Sequence, residues 1–247
     1  SARYLPETHP PEARHPLHPG PLARRYKSVF TTPGFLLLTF TVSCNFNGFF
    51  LYVLSAPVFL MEHLGLPETG FGWFFIPTVS GMMLGSATSA RLAGRLSPPR
   101  TIALGCGLML AAAAANLVVS IWLTPGLPQS VIPVMLYTFG MAIAMPSLTL
   151  LALDHFPTHR GLASSCQSFL QMLFSSLTAG LVAPALWSSV TGLAAGMVGN
   201  LLLGDVARDR FLATPLPEAI PEEQKLDAYA QLAKDAGLGR ESLYKAL

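Results

Sequence analysis

Residues Gly34 to Leu60 have the sequence GFLLLTFTVSCNFNGFFLYVLSAPVFL, which contains no charged side chain. A helix needs about 20 apolar residues to cross the ~30 Å hydrocarbon core of a bilayer, and this stretch is long enough. Five further apolar stretches follow between it and Gly204, separated by short gaps. Because a bilayer core offers no water to exposed backbone groups, such stretches indicate helices. The sequence therefore predicts an all-α membrane protein with a bundle of six transmembrane helices.

The composition excludes an ordinary soluble domain. The mean hydropathy is +0.49 and charged residues make up 11% of the chain, whereas about a quarter is usual in soluble proteins. The net charge of +2 says little by itself, and the positions of the charges say more. Cys44, Cys106 and Cys166 all lie within apolar stretches, which is typical of small core residues rather than of disulfide or metal partners.

The basic residues occupy alternate gaps between the apolar stretches. The first, third and fifth gaps contain neither lysine nor arginine, whereas the second and fourth gaps do. Lysine and arginine accumulate on the cytoplasmic side of membrane helices. We therefore predict a multi-pass membrane protein with both termini in the cytoplasm. In chain order, the basic residues outside the tail are Arg3, Arg14, Arg24, Arg25, Lys27, Arg91, Arg95, Arg100, Arg160, Arg208 and Arg210.

The predicted organisation has four parts. A proline-rich cytoplasmic lead-in covers residues 1–32, the six-helix bundle 33–204, a linker 205–221 and a small soluble helical tail 222–247. Gly81 and Gly85 have the small-xxx-small spacing that lets two membrane helices approach closely. The chain starts without methionine inside a polar segment, so we expect it to be a piece of a longer polypeptide. We place the six spans at about 34–60, 70–90, 101–123, 131–153, 161–182 and 187–204, of which the last is short.

No arrangement for catalysis is present in the sequence. It has no glycine-rich phosphate loop, no nucleophile elbow and no metal-ligand spacing. Asp154, His155 and His159 cluster at a predicted helix end, but that short loop offers too few ligands for a metal, and we interpret it as solvated. We expect no enzyme activity, no cofactor and no metal site.

The predicted spans carry no charged residue in their central parts. Ionisable residues inside a membrane are costly and usually mark the path of an ion. The predicted spans therefore show no proton relay, and a proton-coupled protein would need carboxylates from elsewhere.

Uncharged polar residues do occur at mid-span. Asn45, Phe49 and Tyr52 are spaced i, i+4, i+7 and share one helix face, and Gln167 and Gln171 share a face at i, i+4. Buried amides need hydrogen-bond partners. These residues either line a cavity that binds a substrate or form hydrogen bonds between helices. Asn47 lies on another part of its helix, and we expect it to have no substrate role.

The fourth span contains an adaptable segment near its middle. Met141 and Met145 are followed by Pro146, which we expect to break or bend the helix. Methionine side chains adapt readily to neighbouring groups. The segment is either a flexible wall of a substrate cavity or ordinary core packing.

The second gap contains a group of arginines. Arg91, Arg95 and Arg100 share a short loop with glycine and two prolines. They either determine the topology or also form a gating latch that contacts a helix C-terminus or an acidic residue.

Several of these motifs resemble one family. The opening LPET at residues 5–8, followed by a basic loop, is similar to the central cytoplasmic loop of drug exporters in the Bcr/CflA-type branch of the major facilitator superfamily. GFFLYVLSAP at 48–57 resembles the seventh helix of that family, and SARLAGRLSPPR at 89–100 resembles the loop between its helices eight and nine. Pro146, and GLASS at 161–165 with Gln171, resemble helices ten and eleven. The resemblance covers residues 1 to about 203.

This resemblance implies the C-terminal six-helix half of a twelve-helix exporter of the bacterial inner membrane, which works by alternating access between two bundles. The implied partners are a small-molecule drug or metabolite, protons, the lipid bilayer and an N-terminal six-helix half. In the family, the acidic residues tied to proton coupling lie mainly in that other half. The absence of charge from the predicted spans agrees with this.

The tail resembles a different kind of protein. AQLAKDAGLGRESLYKAL at residues 230–247 is similar to the helix-turn-helix of addiction-module antidote proteins. In such motifs the early residues of the recognition helix, here Arg240, Ser242, Tyr244 and Lys245, meet DNA bases. The chain stops where that helix would continue, so we expect no DNA binding. Two alternatives to an exporter half remain: a membrane-tethered DNA-binding regulator, and a nonfunctional fusion remnant.

Overall fold

A computed structural model of the chain describes residues 19–157 and 159–213. Outside the helices, these ranges contain turns, bends and an isolated bridge between Ala93 and Leu96. The predicted tail 222–247, residues 214–221 of the predicted linker and residues 1–18 lie outside them. The α-helices are α1 Pro19–Thr31, α2 Pro33–Leu54, α3 Gly72–Leu92, α4 Pro98–Trp122, α5 Ile132–Leu153, α6 Arg160–Leu177, α7 Ala183–Leu186 and α8 Val190–Ala213. Val58–His63 and Thr178–Val182 are π-helical, and Glu68–Phe71 is a 3₁₀ turn.

The chain divides into two units, Ser1–Phe211 and Leu212–Leu247. The helical bundle belongs to the first unit. Of the second unit, the structure describes only Leu212 and Ala213, which end α8.

Five helical segments are long and apolar enough to cross a membrane. They are α2, α4, α5, α8 and Arg160–Leu186, in which α6 continues through the π-helical turn into α7. The 21 residues of α3 give a length of about 32 Å, which is sufficient, but α3 is less apolar than the others. The prediction of an all-α membrane protein is confirmed, with α3 as the remaining long helix of the bundle.

The end of the last helix corrects the sequence analysis. We predicted a short sixth span ending at Gly204, but α8 has 24 residues and continues to Ala213. The hydropathy falls after Gly204, yet Asp205 and Arg208 pair at i, i+3 over 2.7 Å. Opposite charges at this spacing support a helix, and the next proline is Pro215. The change in composition after Gly204 therefore does not mark the end of the helix.

Two prolines behave differently from one another. The first predicted span, 34–60, is divided, because α2 ends at Leu54 and a π-helical turn begins only after Pro57. Proline lacks an amide hydrogen and its ring collides with the preceding turn, which explains this break. In contrast, α5 runs through Pro146 without interruption. Membrane helices tolerate proline where neighbouring helices and local adjustments satisfy the freed backbone groups.

Close backbone contacts bring α3 and α4 against α5, which also packs on α2. A Cβ at Gly81 of α3 would collide with the carbonyl oxygen of Met135 in α5, and one at Gly85 with that of Phe139. The predicted close approach at this glycine pair is confirmed.

The gaps that contain basic residues meet at one end of the bundle, formed by the starts of α2, α4 and α6 and the ends of α3, α5 and α8. We call it the basic end. There the ring of Phe35 lies 5.6 Å from that of Phe156, and the ring of His155 lies 5.8 Å from that of Phe211. At the opposite end, His63 Nε2 lies 2.8 Å from the carbonyl oxygen of Trp187. The side of the membrane that the basic end faces stays a prediction.

Candidate functional site

Tyr52, a predicted cavity residue, lies in the packed core. Its hydroxyl oxygen accepts a hydrogen bond from Asn116 Nδ2 of α4 over 2.6 Å. Its ring lies 5.1 Å from that of Phe59 and 6.4 Å from that of Phe74. Tyr52 therefore joins α2 to α4 and to the segments that follow α2. Asn116 itself was missed by the sequence analysis, although an amide beside the Ala111–Ala115 run is a signal for a buried hydrogen bond.

Asn45 and Phe49 continue the same buried face of α2. The carbonyl oxygen of Asn45 accepts a hydrogen bond from the Tyr137 hydroxyl of α5 over 2.9 Å. The amide nitrogen and oxygen of the Asn45 side chain are buried and have no hydrogen-bond partner. Phe49 and Met141 are buried in the hydrophobic core. This face of α2 thus points into the bundle.

The other predicted site residues lie closer to the surface. Gln167 of α6 is buried, whereas Gln171 and Met145 are half-buried. None of the seven predicted residues lines the cavity that is described next. Their role in binding a substrate stays a prediction.

A cavity of about 360 Å³ lies between α2 and α6. This is within the ~300–1,000 Å³ of pockets that bind small molecules. Its walls are apolar except for two hydroxyl side chains, Thr39 and Ser43. The Ser43 hydroxyl donates to the carbonyl oxygen of Thr39 over 2.8 Å, while the Thr39 hydroxyl is buried without a partner. The lining residues are Leu36, Leu37, Thr39, Phe40, Ser43, Leu170, Leu173, Phe174 and Leu177.

The cavity lies on the face of α2 opposite to the one that we predicted to line a substrate site. Residues two positions apart on a helix point about 200° apart, so Ser43 and Asn45 face in opposite directions. Both faces carry an asparagine and a phenylalanine at helical spacing, so periodicity cannot distinguish them. The cavity residues Thr39, Phe40 and Ser43 were missed for this reason.

Asn47 joins the two walls of the cavity. Its Nδ2 donates to the carbonyl oxygen of Ser43 over 2.8 Å and to the Ser175 hydroxyl of α6 over 3.2 Å. The rings of Phe40 and Phe174 meet edge to face with centroids 5.3 Å apart. These contacts fix the position of α6 relative to α2.

The predicted gating arginines are exposed at the basic end. Arg91 ends α3, Arg100 opens α4, and Arg95 lies in the tight connection between them. Gly94 has a φ of 79°, a conformation that favours glycine in such a turn. None of these arginines forms an ion pair with another residue that the structure describes. Their gating role stays a prediction.

The cluster at the end of α5 contains an ion pair. Arg160 Nη2 lies 2.6 Å from Oδ1 of Asp154, with both side chains more than half exposed. Exposed pairs contribute little to stability. Within residues 19–157 and 159–213, no group of histidine, cysteine and carboxylate side chains could hold a metal ion.

Comparison with known protein families identifies the fold. The model of the Major Facilitator Superfamily matches residues 1–179. The chain belongs to the Major Facilitator Superfamily. This is a family of membrane transporters rather than of enzymes, as the sequence analysis predicted.

The superfamily relatives of this chain include named drug transporters. It is similar to the multidrug transporter MdfA of Yersinia pestis bv. Antiqua (strain Angola), with 29% identity over 81% of this chain and 49% of the relative. MdfA of Edwardsiella ictaluri (strain 93-146) is 30% identical over 63% of this chain and 38% of the relative. The chloramphenicol resistance protein CraA of Acinetobacter baumannii is 24% identical over 60% of this chain and 36% of the relative. The chain spans about half the length, or less, of the curated relatives that it matches.

Proposed function

We propose that this chain is the C-terminal half of a proton-coupled multidrug exporter, which works by alternating access together with an N-terminal six-helix bundle. The observation that supports this most strongly is the apolar cavity between α2 and α6, in a chain whose relatives are named multidrug transporters. We assign the exporter to the Bcr/CflA-type branch on the motifs at residues 5–8, 48–57 and 89–100.

The chemistry of the cavity favours an uncharged lipophilic drug. None of its lining residues carries a charge, so a drug cation or anion would lose its hydration without gaining a counter-ion. Leucine and phenylalanine side chains provide apolar contact area. The two hydroxyl side chains of the wall add little polarity, because the Thr39 oxygen is buried and the Ser43 hydroxyl already donates to a backbone carbonyl. Chloramphenicol, which has an aromatic ring and hydroxyl groups but no charge, meets these requirements.

The predicted site residues take two roles in this proposal. Asn45, Phe49, Tyr52 and Met141 hold the helices of the bundle together, as their burial indicates. Gln171 is half-buried on α6, one turn before the cavity residue Phe174, and we retain it as a candidate drug contact.

The second bundle would cover apolar surface that is now open. Ile76 and Met83 of α3 and Phe169 and Met172 of α6 are at least 60% exposed. Lipid covers part of such a surface in a membrane, and the other half of the exporter covers the rest. Because basic loops stay in the cytoplasm, we place the basic end there. The arginines between α3 and α4 would then contact the other half on the cytoplasmic side.

Binding of radiolabelled chloramphenicol to the purified chain in lipid nanodiscs tests the cavity. Leu173→Trp places a larger side chain in the wall and should weaken binding at least tenfold. Met172→Trp is the matched control, because Met172 is the neighbouring residue on α6 and is exposed outside the cavity. Equal binding by the wild type and both variants would contradict the proposed site. Absence of saturable binding by the wild type would contradict it as well.

A further inference from the structure

Helix α8 carries an ion pair inside the helical bundle. A guanidinium nitrogen of Arg208 lies 2.7 Å from Oδ1 of Asp205, and the two side chains are 20% and 16% exposed. Gly204, the residue before Asp205, packs against α2, where the Thr41 hydroxyl donates to the Gly204 carbonyl oxygen over 3.0 Å. The pair therefore belongs to the packed part of α8 and not to a solvated helix end.

The contacts of this part of α8 with α2 and α4 indicate how deep the ion pair lies in the membrane. Thr41 lies eight residues after the start of α2 at Pro33, which is about 12 Å along the helix. Cys106 lies close to Arg208 and eight residues after the start of α4 at Pro98, again about 12 Å along it. The hydrocarbon core of a bilayer is ~30 Å thick, so both measures place the pair within the membrane, on the side of the basic end.

The sixth predicted span ends at Gly204, so the sequence analysis did not place Asp205 in a span. Ionisable residues retained in membrane helices usually mark the path of an ion or a proton. The charged groups that act on Asp205 are Arg208 and Asp209, both of α8. The titratable groups of the surrounding segments, at the pair or toward the basic end, are Cys44 of α2, Cys106 of α4, Tyr137 of α5 and His155 just after α5.

Arg208 has a second carboxylate partner. Its Nε and Nη2 lie 3.2 and 3.1 Å from Oδ1 of Asp209, whose side chain is 67% exposed. Removing the partner of a buried charge is strongly destabilising. Arg208 keeps a partner even when Asp205 is neutral. Asp205 can therefore change its protonation state without leaving the arginine unpaired.

The side chain of Asn45 in α2 lies beside the residue that precedes Asp205. The side-chain amide of Asn45 is fully buried and its oxygen has no hydrogen-bond partner. A Cβ at Gly204 would come within 2.8 Å of that oxygen, so the amide lies next to the residue that precedes Asp205.

We propose that Asp205 is a proton-binding site within this half of the transporter. A proton from the aqueous phase at the basic end binds a carboxylate oxygen of Asp205, the ion pair with Arg208 opens, and Arg208 stays paired with Asp209. Release of the proton reverses these steps. The use of this proton as the coupling ion rests on the proposed export function, whereas the protonation itself requires neither a drug nor transport.

Infrared titration of the purified chain in lipid nanodiscs measures the protonation, because a neutral carboxyl has a carbonyl stretch that a carboxylate lacks. As the pH falls, the wild type should gain a band that is absent from Asp205→Asn and retained in Asp209→Asn. Asp209 is the matched control, since it binds the same arginine but is exposed. Identical titrations of the wild type and Asp205→Asn would overturn the proposal.

If Asp205→Asn does not fold, a second variant tests the proposal. Asp205→Glu keeps a carboxyl at this place, so the same band should persist at a displaced frequency, and an unchanged spectrum would overturn the proposal. The export function is tested separately. A chain that binds chloramphenicol but lacks the Asp205 band refutes the proton site alone, and one that shows the band but binds no drug refutes the cavity alone.

Discussion

The side-chain amide of Asn116 donates a hydrogen bond to the hydroxyl of Tyr52 over 2.6 Å, which joins α4 to α2. Both side chains are buried, and the Tyr52 ring also packs on Phe59 and Phe74. Hydrogen bonds of this kind hold membrane helices together where the surrounding lipid provides no partner. The pair therefore supports a structural role for a face of α2 that the sequence also allows as a substrate path.

We expect Tyr52→Phe to destabilise the bundle. The substitution leaves the buried Nδ2 of Asn116 with only the Met197 sulfur, 3.8 Å away, as acceptor, and it should lower the free energy of unfolding by about 1–2 kcal/mol. Unfolding of the chain in detergent measures this, and Tyr26→Phe on the exposed side of α1 is the control. Unchanged stability together with an altered drug-resistance profile would support the cavity-lining interpretation instead.

Two glycines of α8 should respond in opposite ways to alanine. A Cβ at Gly204 would come 2.8 Å from the Asn45 amide oxygen and 3.2 Å from Cβ of Cys44, so Gly204→Ala should cost about 1–3 kcal/mol through overpacking. At Gly199 nothing lies within 4 Å, so Gly199→Ala should be neutral or stabilise α8 by up to about 1 kcal/mol. Thermal unfolding of the two variants compares them directly. A larger loss for Gly199→Ala would refute the packing of α8 against α2.

The sequence predicted the fold more completely than it predicted the candidate site. Hydropathy and the positions of arginine were sufficient for an all-α bundle, because length and charge alone determine which segments a bilayer accepts. The end of α8 was missed, since the Asp205–Arg208 pair neutralises a charged turn that composition alone suggests is a linker. The cavity was missed because α2 carries similar residues on two buried faces, and only packing determines which face lines a cavity.

The orientation of the bundle is open to a labelling experiment. The basic end should face the cytoplasm, so a cysteine at Ser97 between α3 and α4 should react only from that side. A cysteine at Thr124, in the exposed turn after α4, should react only from the periplasm. The background variant lacks Cys44, Cys106 and Cys166. Reaction of both positions from the same side would contradict the alternating arrangement of the helices.

We expect a peptide of residues 214–247 to bind DNA no better than a weak nonspecific ligand. Phosphate binding requires a basic face, whereas this segment has more carboxylates than basic side chains. A gel shift at moderate salt measures the binding. A discrete, sequence-dependent complex at submicromolar peptide would favour the alternative of a membrane-tethered regulator.

Drug export by two co-expressed halves decides whether this chain is half of a transporter. Efflux-deficient bacteria would carry this chain, the N-terminal six-helix half of the Yersinia pestis multidrug transporter, or both, and accumulation of radiolabelled chloramphenicol would be measured. We expect accumulation to fall only when both halves are present, and to return to the control level when the chain carries Leu173→Trp. Export by this chain alone would contradict the proposal, as would unchanged accumulation with both halves co-purifying from the membrane.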